Sequence, residues 1–293
     1  MNTVLLIEQA LNGFQLGVML FLMASGLTLV LGIMNIVNLS HGSFYMLGAY
    51  FTVTLALYSG STVVGVLGGL VCTALLAAVV EFTLIRRLYG RDHLDQVLCT
   101  VGLIFFFNEA VRFLWGPLPL RLELPPMLTG SVQIFSDVVY PILRLVIIGL
   151  GFVVAIFLYW LIGHTRLGML IRAGASDRTM IAALGVNINL LYTLVFAIGA
   201  VLAGLAGIVA GPIYAVQAGM GDNVLILALV VIVIGGVGSI RGALVGAIFV
   251  GLLDTFGRAL LPASISDIGV YVLMATVLCI KPQGLFPVPG GAR

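Results

Sequence analysis

The sequence predicts an all-α integral membrane protein, a polytopic helical bundle of eight or nine transmembrane helices, some of them broken. Three observations lead there. Of 293 residues, 61% are hydrophobic and only 8% are charged, whereas a soluble domain carries roughly 25% charged residues to cover its surface. Apolar runs of about 20 residues, long enough to cross a bilayer, recur along the whole chain. The runs are continuously apolar and do not alternate, which favours helices over a barrel. A single transmembrane domain over residues 1–293 is expected.

Taken in order, the predicted spans are 5–32, 41–59, 62–87, 94–115, 139–162, 189–212, 223–238, 242–261 and 267–281. The first is too long for a signal-peptide h-region. No Lys or Arg precedes Arg86, so the basic n-region of a cleavable signal is absent. Orientation follows from the basic residues. Arg86, Arg87 and Arg91 follow the third span, Arg166, Arg172 and Arg178 the fifth, and Lys281 and Arg293 the last. If the spans alternate, all three stretches share one side, expected to be cytoplasmic. The N-terminus is then outside and the C-terminus inside; a re-entrant segment would give eight spans and move one end across. Between spans four and five, an external loop of about 116–138 carries Pro117, Pro119, Pro125 and Pro126, flanked by Trp115 and Tyr140. The two aromatic residues are expected to act as interfacial anchors, with the loop as a short surface structure.

Two places interrupt an apolar run. Residues 33–42 read IMNIVNLSHG, and residues 235–242 read GGVGSIRG. Interrupted segments in corresponding parts of two halves point to a transport path, and an inverted internal repeat would explain the pair. Each break is also readable as a plain cytoplasmic turn. For the path, the candidates are Asn35, Asn38, Ser40, His41 and Gly42, because polar side chains and free N–H groups at a helix start can line a polar route.

Other polar residues inside spans need partners. Glu109 and Arg112 are an i,i+3 pair and Asp254 and Arg258 an i,i+4 pair. Both are expected near the outer face, neutralising themselves or facing the mouth of the path. Glu81 is expected to pair with Arg86 or snorkel at the inner face. Cys72, Cys99 and Cys279 form no CxxC and read as small buried apolar residues. No metal-ligand cluster, nucleophile motif or P-loop occurs, so neither a cofactor nor an ATP site of the chain's own is expected. No basic cluster suggests nucleic acid.

The longest inner stretch, about 164–189, reads HTRLGMLIRAGASDRTMIAALGVNIN. Met169, Ile171, Met180, Ile181 and Leu184 interleave with Arg172, Asp177 and Arg178, as in one short helix lying on the membrane surface. Asp177 and Arg178 would face water or a partner, and Gly185 would end the helix.

With Ala182, Ala183 and Gly185 before another span, this loop resembles the ATPase-docking loop of ABC importer permeases. Ile181 stands where that pattern expects an acidic residue. The stretches GLTLVLGIMNIVNLSHGSFYMLGAY, FAIGAVLAGLAGIVAGP, GGVGSIRGALVGA and KPQGLFP resemble branched-chain amino acid permeases of the LivH/LivM type, on the LivH side. The resemblance implies a non-catalytic permease in a bacterial inner membrane. Its partners would be a second permease subunit, a paralogue, two ABC ATPase subunits that bind the ATP, and a periplasmic amino-acid-binding protein. Arg172, Asp177, Arg178, Ala182, Ala183 and Gly185 would form the ATPase-coupling loop. The cargo would be branched-chain or other hydrophobic amino acids; urea, an amide or an aromatic acid is the alternative. An ion-coupled carrier fits less well, because the acidic residues cluster near span ends.

Overall fold

The computed structural model describes residues 3–135 and 138–287. Nine apolar helices carry the architecture: α1 (Thr3–Met34), α2 (His41–Ser59), α3 (Thr62–Thr83), α4 (His93–Trp115), α5 (Ile142–His164), α8 (Ile188–Tyr214), α9 (Met220–Gly235), α10 (Ile240–Leu260) and α11 (Ala263–Ile280). Two short helices, α6 (Arg166–Ser176) and α7 (Arg178–Ala183), occupy the 164–189 stretch. Six of the nine are long and apolar enough to cross a membrane: α1, α3, α4, α5, α8 and α10. The remaining three are shorter or more polar.

α1 and α8 form the centre and are mostly buried. They cross where Gly26 meets Gly199, each with the other's carbonyl within 3 Å of the place a Cβ would take. Small residues permit this backbone approach, the main packing device between membrane helices. The same device packs α10 on α1 (Gly251 against Gly13 and Gly17) and α2 on α8 (Gly48 against Gly204). It also packs α3 on α2, with Gly65 and Gly69 against Ala56 and Thr52. The outward faces of α3 and α5 expose large apolar side chains such as Leu67 and Ile156, as lipid contact requires.

α2 and α9 begin inside the bundle. The His41 side chain lies against Gly26, eight residues or about 12 Å before the end of α1. Gly42 packs on Gly221 in the first turn of α9, backbone to backbone. From that meeting point α2 runs outward to Trp115, whose indole donates to Thr54 Oγ1 at 2.7 Å. α9 runs the opposite way to Gly235, whose carbonyl accepts from Phe286 N–H.

These elements form an inverted repeat. A long helix ends (α1 at Met34, α8 at Tyr214), the next residue takes a positive φ (Asn35 51°, Ala215 61°), and a helix restarts within the bundle. Among the described residues these are the only two non-glycine positive φ values. α3 then packs on α8 as α10 packs on α1. The expected pairing of the breaks needs correcting. The partner of 33–42 is the stretch 215–219, not 235–242. The latter is a plain turn in which Ser239 caps α10 by accepting from Gly242 N–H at 3.1 Å.

Further departures have physical reasons. The loop after α4 holds an antiparallel pair of strands, β1 (Ser131–Phe135) with β2 (Val138–Pro141), so the described residues are not wholly helical. Tyr140 is buried and donates to Asn12 Oδ1 at 3.1 Å, and Trp115 packs on Tyr50 and Phe51. Both aromatics bind helices together. Loop residue Leu120 pairs in a β-bridge with Val216, tying this loop to the second break. The three cysteines are free, but Cys72 and Cys99 are only half-buried and Cys279 is exposed, placed towards the apolar surroundings. Arg293, used for orientation, lies outside the described residues.

Candidate functional site

The first break is built by a short polar turn. Asn38 Oδ1 accepts from Ser40 N–H at 3.1 Å and Ser40 Oγ at 2.6 Å, and Ser43 N–H donates to Ser40 O. Asn38, Ser40, His41 and Gly42 are buried, whereas Asn35 is exposed at the far end of α1. The predicted path set is thus split: four residues come together inside the bundle and Asn35 does not join them. Around the turn, Asn38 Nδ2, His41 Nε2 and Ser43 Oγ are buried without a hydrogen-bond partner among the described residues, as is Thr28 Oγ1 on α1. Such groups are rare and costly. Their clustering at one helix start is the feature that sets this place apart from ordinary core.

At the same depth α4 and α9 carry charge. The Phe107 ring lies 6.2 Å from that of Phe44 in α2, and Asn108 Nδ2 reaches Asp222 Oδ2 at 3.4 Å, one residue after Gly221. Glu109 and Arg112 pair at 2.8 Å with side chains 69% and 55% exposed. The predicted pair exists: Glu109 lies two residues past Phe107, and Arg112 lies three residues before Trp115 at the end of α4. Asp254 and Arg258 pair at 2.9 Å near the start of α11, where Gly257 meets Ser266; this pair lies at the outer end, as expected.

At the basic end, the expected single surface helix is two. Asp177 breaks it and caps α7, its carboxylate accepting from Thr179 N–H at 2.9 Å and Met180 N–H at 3.0 Å. The Thr179 hydroxyl also donates to it, at 2.6 Å. These bonds hold the Asp177 carboxyl below its usual range, the Thr179 hydroxyl first. The cap is therefore intact above the ordinary carboxylate range and is lost only as pH falls through the lowered value. Acidification should release α7 only below the pH at which free Asp protonates, measurable as amide-exchange protection of Thr179 and Met180.

α7 ends with Gly185 at φ 85°. Gly185 N–H donates to Ala182 O and Val186 N–H to Ile181 O, the paired bonds of a Schellman stop. α6 anchors inward through Ile171 and Gly174, the latter near Ile33 and Leu191. Arg172, Asp177, Ala182 and Ala183 are exposed together with Met180 and Leu184. The side chain of Arg178, which opens α7, lies outside the described residues. Ile181 is buried, so at this position the chain uses an apolar anchor.

Beside this end, Glu81 is fully buried and accepts from Arg86 at 3.1 Å, Thr193 Oγ1 at 2.6 Å and the Tyr89 hydroxyl. It does not snorkel; it joins α3 to α8. The sequence reading missed Thr193 here and Asp222 above. Both sit more than a hundred residues from their partners, and only the inverted repeat brings them there.

A family model described as a branched-chain amino acid transport system permease component matches residues 9–279. The chain belongs to that permease family. Relatives include the high-affinity branched-chain amino acid permease BraD of Pseudomonas aeruginosa, 30% identical over 97% of this chain and 96% of that protein. LivH of Escherichia coli K12 is 29% identical and LivH of Salmonella typhimurium 28%, each over 97% of this chain and 96% of the relative. No solved structure matches the chain. As a LivH-like ABC permease subunit it is a multi-pass membrane protein, and its features are those of a transport machine: a break at the centre, charge at the same depth, and a capped loop at the basic end.

Proposed function

We propose that this permease passes branched-chain or other hydrophobic amino acids through a bacterial inner membrane, taking them from a periplasmic binding protein. A paralogous second permease completes the membrane unit, and two ABC ATPase subunits, which bind the ATP, drive it. The basic end is cytoplasmic, with the C-terminus; what supports this is the placement of Arg86, Arg87, Arg91, Arg166 and Arg172 at one end. The observation that carries the mechanism is the cluster of buried polar groups without partners at the start of α2. In the transporting state the break opens and these groups receive the zwitterion as it passes, while apolar walls accept its side chain. Weak polar lining suits a path whose specificity is set upstream by the binding protein.

At the cytoplasmic end, α6 and α7 present Arg172, Asp177, Ala182 and Ala183, with Met180 and Leu184, to the ATPase. α6 is braced on α1 and α8, so a push on α7 reaches both central helices as a rigid-body shift. The test is co-purification with the ATPase subunits and ATPase activity stimulated by the loaded binding protein. Asp177→Ala is expected to lower that stimulation and Asp177→Asn, which keeps an acceptor oxygen, to retain most of it. Full stimulation in Asp177→Ala and Gly185→Trp alike would overturn the coupling role.

Ser43→Ala and Thr28→Val remove hydroxyls that make no bond within the chain. They should leave thermal stability unchanged or slightly raised and slow uptake severalfold. Normal uptake with both would remove the break from the path.

A further inference from the structure

The outward face of α4 carries what a lipid-facing helix should not. Glu109, two residues past the Phe107 level, and Arg112, one turn further towards the end of α4, stand mostly exposed. Asp222 is half-buried beside them, and among the described residues no Lys, Arg or His lies within ion-pairing reach of it. Its side-chain hydrogen bond is the long one from Asn108. Charged groups within a membrane face a protein interior or an aqueous path, yet this face is open. A groove of about 590 Å³ runs along it, lined by Phe105, Phe106, Glu109, Ala110 and Phe113.

We propose that this groove, with Asp222 at its edge, is a wall of the translocation path and binds the amino acid as a zwitterion. The charges match in sign and spacing. Asn108 and Arg112 are one helical turn apart on α4, about 6 Å, and Asp222 lies against Asn108. Asp222 takes the ammonium, a cation that it lacks among the described residues, and Arg112 takes the carboxylate, shared with Glu109. The phenylalanines meet an apolar side chain. Asp222 directly follows the Gly42–Gly221 contact, so the groove lies on the other side of the α2 start from the buried polar cluster. Opening at that contact would join the two. The second permease closes the groove from lipid.

This assignment rests on the reading of the chain as an amino acid permease, and the experiment separates the two. The complete transporter, with Cys72, Cys99 and Cys279 changed to Ser, is reconstituted in liposomes carrying Ala110→Cys, Asn223→Cys or, as a lipid-face control, Val71→Cys. A water-soluble cationic methanethiosulfonate is then added. The cysteine in the groove at position 110 and the one beside Asp222 at position 223 should both react at least about tenfold faster than the control, and leucine-loaded binding protein with ATP should change their rate.

Asp222→Asn keeps a partner for Asn108 and should cut leucine uptake roughly tenfold, the scale of one charge-assisted hydrogen bond, with stimulated ATPase activity retained. Groove cysteines no faster than the control, or cross-linked to the second permease without aqueous access, would overturn the assignment. So would normal uptake by Asp222→Asn. If Asp222→Asn fails to assemble, the cysteine rates decide. A parent complex that transports no amino acid would instead sink the permease reading itself.

Discussion

Gly221→Val should abolish accumulation of folded protein. A Cβ on Gly221 would lie 1.9 Å from Gly42 O and 2.6 Å from Gly42 C. Both neighbours are backbone, so no rotamer change relieves the clash. Overpacking ordinarily costs about 1–3 kcal/mol, and a contact that holds two helix starts together falls at the upper end or beyond. Even Gly221→Ala should lower the thermal unfolding midpoint markedly, read by size-exclusion profile after heating in detergent. Gly102→Ala in α4, where a Cβ meets nothing within 4 Å, should be neutral or mildly stabilising. Equal behaviour of the two alanine variants would contradict the packing account of the helix meeting point.

Glu81→Ala should rank next. The substitution strands three donors at once: Arg86, Thr193 and Tyr89. Breaking a buried ion pair by removing one partner costs about 3–5 kcal/mol. Arg86 remains 27% exposed and can turn partly to water, which places the effect near the lower end. Because the pair joins α3 to α8 close to the start of α8, the loss should also reach coupling. Arg86→Met with Glu81→Met removes both charges and should recover much of the stability. A double variant as unstable as the single one would show that the site's value lies elsewhere than in the pair.

Much of this architecture was legible in the chain. Continuous apolar runs located all nine apolar helices, and the positions of Arg86, Arg87, Arg166 and Arg172 brought the basic stretches to one end. The pause at Asn35 to Ser40 was visible because Asn, Ser and His stand out in an apolar context. Its symmetry partner was not. Residues 215–219 read AVQAG, which carries no cluster of polar groups and looks like an external turn. What makes it a break is the positive φ of Ala215 and the backbone contact of Gly221 with Gly42, both products of tertiary packing. Asp222 was hidden for the same reason, since only packing shows that α9 begins inside the bundle. The coupling loop was readable in outline from amphipathicity and Gly185. Its division at Asp177 follows from a side chain that caps better than it propagates a helix.

The central claim is that this chain is one half of an ATP-driven amino acid importer, and uptake of labelled leucine into proteoliposomes tests it most directly. The account predicts uptake only when the second permease, the ATPases, ATP and the binding protein are all present. Leucine uptake by this chain alone, without ATP, would contradict it.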